Sequence, residues 1–106
     1  MKKALAVLLL TMSTAVVAET PLEMYSMSKN FTNRTTITIV PVANVQARCE
    51  AESRKRNLGG FGYGVDACSF WVRNGENSTC TIVVGLQTNN DTLGHEMRHC
   101  LQGAFH

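Results

Sequence analysis

Four cysteines, Cys49, Cys68, Cys80 and Cys100, punctuate a chain of only 106 residues, and they set the terms for any fold it adopts. A chain of this size is enough for one small domain with a thin core, and small exported domains commonly add disulfides to it. The N-terminus points to export. Lys2 and Lys3 precede an apolar run over 4–17 and a small-residue Val16-Val17-Ala18 site, the pattern of a bacterial-type signal peptide cleaved before Glu19. The expected organisation is therefore a leader over 1–18 and a single domain over 19–106. Two disulfides follow from the cysteine count, with three pairings available. No CxxC spacing occurs, which disfavours thiolate-held zinc. No cysteine follows the cleavage site, so no lipid anchor is expected there.

Charge narrows the class further. The chain carries 10 Lys/Arg against 8 Asp/Glu, but two of the cations sit in the leader, so the domain itself balances. Nothing then calls for nucleic acid or an anionic membrane as partner. The apolar run is too short for stable membrane insertion. The expected location is periplasmic or secreted.

Residues 19–33 are polar and irregular and read as a loose arm. Residues 35–40 (Thr-Thr-Ile-Thr-Ile-Val) are β-branched throughout and predict a strand. Pro41 ends that strand and suits the first turn of a helix. The helix is expected over 42–57, with Val42, Val45 and Cys49 on one face and Gly59 and Gly60 terminating it. Phe61-Gly62-Tyr63-Gly64 is an aromatic loop. Residues 67–72 and 78–86 form two further strands around Arg73-Asn74-Gly75. Within them Phe70 and Trp71 alternate, so that one of the two faces the core. A three-residue turn with Gly75 left-handed sets Val72 against Glu76 and Cys68 opposite Cys80, within disulfide reach. Cys49 would then pair with Cys100. A two-residue Asn74-Gly75 turn puts Cys68 out of step by one, so the bridge tests the register. Asp91 is a candidate N-cap for a helix over 92–102. The resulting fold class is α+β: a small antiparallel sheet with two helices, stapled by two disulfides.

The last predicted helix carries His95-Glu96-Met97-Arg98-His99, an HExxH pair. Residues four apart share a helix face, so both imidazoles can grip one metal ion, with Glu96 beside it to take a proton from water. Leu93, Met97, Cys100, Leu101 and Ala104 gather on a narrow stripe, His95 and His99 lie nearly opposite, and Glu96 falls on a flank. The helix can bury one face and hold the histidines toward a cleft. His106 is a candidate third ligand. Along a continued helix it would rise about 10 Å beyond His99, but Gly103 can end the helix and turn the chain back. Tyr63, in the glycine-rich loop, is a candidate oxyanion donor. Arg98 is a candidate for a substrate carboxylate.

These residues resemble the zincin metallopeptidases, and more loosely the metzincins. Metzincins carry HExxHxxGxxH, whereas His95 to His106 reads HExxHxxxGxxH, one residue longer before the glycine. The resemblance covers the last twelve residues. It implies a minimal zincin-like domain, Zn²⁺ held by His95 and His99 with His106 as third ligand, Glu96 as general base, and a peptide or protein substrate. Because no second cleft wall follows the motif, the alternative is a non-catalytic exported metal-binding or accessory module, or a subunit whose cleft a protein partner completes.

Overall fold

A computed structural model describes residues 25–104. The leader and His106 lie outside the described residues. After a short 3-10 turn at Met27–Lys29 come β1 (Arg34–Val42), α1 (Val45–Lys55), β2 (Ala67–Asn74), β3 (Asn77–Gly85) and α2 (Asn90–Gln102). The three strands form one sheet in the order β1-β3-β2. The class is α+β, as the periodicities predict. The sheet is mixed, however: β2 pairs with β3 antiparallel, whereas β1 runs parallel to β3. The crossover through α1 leaves room for β3 to insert between the two earlier strands.

Local chemistry accounts for the element boundaries. β1 extends through Pro41 to Val42; on an edge strand a missing N–H is tolerated. The helix waits for Asn44, whose side chain accepts the Ala47 N–H at 3.0 Å as an N-cap. α1 ends earlier than Gly59. Asn57 takes the left-handed conformation (φ 61°). The Asn57 N–H donates to Arg54 O and the Leu58 N–H to Ser53 O, both at 2.9 Å. This is the Schellman arrangement, with asparagine in the place more often held by glycine.

The hairpin turn is Gly75-Glu76, flanked by the Asn74–Asn77 pair, with Gly75 at φ 67°. A glycine-first two-residue turn matches the strand twist. The consequence is a register in which Trp71, not Cys68, faces Cys80, and Cys68 faces Val83. Side chains alternate across a sheet, so Cys68 and Cys80 point to opposite faces and cannot bridge. The pairing read from the sequence is therefore corrected: the disulfides are Cys49–Cys68 and Cys80–Cys100, with Cα separations of 6.1 and 5.5 Å.

Each bridge fastens one helix to one face of the sheet. On one face Cys49, Cys68, Phe70 and Val83 form a buried cluster flanked by Val45 and Phe61. On the other, Cys80, Ile82, Val84 and Cys100 pack with Leu93, Met97 and Trp71. The molecule is thus three layers, α1, sheet and α2. Two disulfides fit an oxidising compartment, and among the described residues no helix is long and apolar enough to cross a membrane.

Residues 25–33, expected as a loose arm, are tied down where the structure describes them. The Phe31 N–H donates to Leu101 O at 2.9 Å, and the Gln102 amide donates to Ser26 O at 2.8 Å and to Asn30 Oδ1 at 3.0 Å. The end of α2 has carbonyls without helical partners, and this segment supplies a donor for one of them, Leu101 O.

Candidate metal and substrate cleft

α2 begins one residue after Asn89, whose side chain accepts the Thr92 N–H at 2.7 Å. Asn89, not Asp91, is the N-cap, and the helix starts two residues earlier than expected. Asp91 instead lies in the first turn, where a carboxylate complements the helix dipole. Cys100 is fully buried and bridged to Cys80, and Leu93 and Met97 pack on the same cluster. That attachment sets the rotation of the helix and turns His95, Glu96 and His99 into a common cleft of about 810 Å³.

The two imidazoles are edge to face, their centroids 4.9 Å apart. His99 is held from two further directions. Its Nδ1 lies 2.8 Å from the Gly103 carbonyl oxygen, and its ring stacks on the Trp71 indole at 5.6 Å with 8° between planes. A carbonyl accepting from Nδ1–H makes Nε2 the basic nitrogen. Gly103 has φ 70° and is buried against Phe31 and Trp71, so it both ends the helix and supplies the oxygen that orients His99. The sequence identified Gly103 as a terminator but offered no signal for this second role, nor for that of Trp71.

Glu96 keeps only 8 % of its surface, more buried than its flank position on the helical wheel implied. It nonetheless lines the cleft. Tyr63 lines the same cleft, with its ring edge-on to Phe61 at 5.8 Å. Arg98 hydrogen-bonds Gln102 at 2.9 Å and lies over the Tyr25 ring, away from the cleft lining. Arg56 lines the cleft with its guanidinium 4.4 Å from the Phe70 ring centroid. Its charge is answered by Glu52, at 2.6 Å. That hydrogen bond, followed by the one from Arg48, holds the Glu52 carboxyl below the usual glutamate range.

Five consecutive residues of β2, Ala67, Cys68, Ser69, Phe70 and Trp71, line the cleft. Alternate side chains of a strand point to opposite faces, so an unbroken run means that the cleft lies along the strand's edge. β2 is an outer strand, and its far edge carries backbone groups that no other described strand pairs.

The donor set can be weighed against zinc. Two imidazoles one turn apart, one oriented through its second nitrogen by a carbonyl, are suitable ligands. All four cysteines are in disulfides, so no thiolate contributes. Among the described residues no group of three or more His, Cys, Asp or Glu side chains converges on one point; His106, the expected third ligand, lies outside them. The cleft thus presents two imidazoles, donors of a kind that zinc takes. Comparison with family models, with characterised proteins and with solved structures finds no match to this chain.

Proposed function

We propose that this protein is an exported zinc-dependent peptidase, with His95, His99 and His106 as ligands and Glu96 as general base. The observation that carries the reading is the placement of His95, Glu96 and His99 in one cleft that runs along a strand edge paired by no other described strand. An extended polypeptide can add to such an edge through main-chain hydrogen bonds, which would lay its backbone beside the histidine pair. Zinc bound there would supply Lewis acidity toward a carbonyl and toward water. Glu96, nearly enclosed yet open to the cleft, takes a proton from the attacking water on its carboxylate and returns it to the leaving amine. Trp71 and the Gly103 carbonyl keep the His99 ring from turning. The leader over 1–18 directs the chain out of the cytoplasm, to the periplasm or medium, where the disulfides form.

The test combines metal analysis with peptide hydrolysis. Purified, disulfide-bonded protein is expected to bind about one zinc. Glu96→Gln should keep the zinc and lose cleavage, whereas His95→Ala or His99→Ala should lose both. Protein that takes up no zinc with its disulfides intact would overturn the reading. Zinc held firmly without cleavage of any peptide would instead assign a non-catalytic metal-binding module, or a subunit that needs a partner to complete its cleft.

A further inference from the structure

The loop from Leu58 to Asp66 exposes more apolar surface than a connection needs. Leu58 and Tyr63 are about two-thirds exposed, and both line the cleft together with Phe61 and Val65. Such side chains on a slack loop would fold inward or move. These are held in place by two polar residues one turn apart on α1. Gln46 donates through Nε2 to the Tyr63 carbonyl at 3.1 Å and accepts the Val65 N–H on Oε1 at 2.8 Å. Glu50 accepts the Phe61 N–H at 3.1 Å and also receives a hydrogen bond from Gln46 at 3.0 Å. The loop passes so close to this pair that a Cβ at Gly60 would lie 2.5 Å from Glu50 Oε1. Three backbone bonds to two side chains make the loop a preformed wall rather than a flap.

The charges on the cleft complete the picture. Asp66 and Asp91 line it and are exposed, and no ion pair among the described residues engages either. The cleft's guanidinium, on Arg56, is already bound by Glu52. An acidic ligand would therefore meet repulsion, and a basic one would find open carboxylates.

We propose that this wall selects the substrate: an extended polypeptide that places a bulky apolar side chain against Leu58, Phe61 and Tyr63, with a Lys or Arg beside it. Gln46 and Glu50 are positioning residues for the wall. The inference rests on the peptidase reading for its purpose, but its test does not require turnover.

Calorimetric titration of the zinc-supplied Glu96→Gln protein with a decapeptide centred on Lys-Phe is compared with two relatives, one with Ala for Phe and one with Glu for Lys. The Ala peptide should bind about tenfold more weakly, and the Glu peptide several-fold more weakly at low salt, a difference that shrinks as salt rises. Phe61→Ala or Leu58→Ser should erase the preference for Phe, whereas Tyr63→Phe, which keeps the ring, should retain it. Gln46→Ala should erase it too without change in zinc content, and so should Gln46→Glu, which keeps the acceptor for Val65 N–H but sets a second carboxylate against Glu50 and the Tyr63 carbonyl. Equal binding of the Phe and Ala peptides, or no binding of either, overturns the inference. In wild-type protein, selective binding without cleavage supports this inference while sinking the peptidase reading. Indiscriminate cleavage of all three peptides does the reverse.

Discussion

At the scale of the residue, His99 shows how the site depends on groups that carry no catalytic signature. Its ring is fixed by one backbone oxygen and one indole face. Outer-sphere partners of this kind commonly change metal affinity by 10–100-fold. Trp71→Leu is therefore expected to weaken zinc binding roughly tenfold, and Trp71→Phe, which keeps an aromatic plane, to weaken it less; competition with a chelator reads both. Gly103 is the second dependence. Its φ of 70° and ψ of −141° suit glycine alone, and a side chain there costs about 1–3 kcal/mol. The space around an added Cβ is ordinary, with no neighbour closer than 3.7 Å, so the strain lies in the backbone. Gly103→Ala should lower the midpoint of chemical denaturation and, by moving the carbonyl away from Nδ1, also loosen the metal. Loss of stability with unchanged zinc affinity would show that the carbonyl does not orient His99.

At the scale of the element, each helix is attached to the sheet by one cysteine, and the two attachments do different work. Cys80–Cys100 holds the histidine helix on the central strand, one residue after His99. Cys49–Cys68 holds α1, which in turn holds the aromatic loop. With sequence separations of 20 and 19 residues, either bridge contributes about 3 kcal/mol in the chain-entropy account. Replacing Cys80 and Cys100 by Ser should thus lower stability by about 3 kcal/mol and weaken zinc binding. The same change at Cys49 and Cys68 should cost similar stability but fall mainly on peptide selectivity. α1 also carries a carboxyl whose ionisation is coupled to folding. Arg56 and Arg48 lower the Glu52 carboxyl below its ordinary 4.5, so the native state favours its ionised form. That stabilisation is full above the unfolded value and is lost as pH falls through the lower, folded one. Denaturation followed from pH 6 down to pH 2 should show wild-type protein losing its advantage over Glu52→Gln across that acid range. Parallel curves would remove Glu52 from the account.

At the scale of the whole molecule, the elements could be read from the sequence but their partners could not. The β-branched run of β1, the two hairpin strands and the two-faced motif helix all follow from periodicity and fall within a few residues of where they form. Pairing depends on parity. Moving the hairpin turn from Arg73-Asn74-Gly75 to Gly75-Glu76 carries Cys68 to the opposite face from Cys80, and both disulfides change partners. The parallel neighbour of β3 was hidden for another reason, since nothing in residues 34–42 specifies which later strand they will meet. The motif residues themselves were legible from spacing, whereas Trp71, which stacks on His99, and the Gln46–Glu50 pair, which holds the aromatic loop, act through contacts distant in sequence; the Gly103 carbonyl is only four residues from His99, but its direction depends on a backbone turn that spacing does not specify. Trp71 has one more consequence. It is the chain's single tryptophan, and it lies parallel to His99. All of the protein's tryptophan emission, excited where its two tyrosines do not absorb, therefore comes from an indole stacked on the proposed ligand. Protonated imidazole and copper(II) both quench such emission, whereas neutral imidazole and zinc do so far less, so an unlabelled sample carries its own optical readout of what His99 binds.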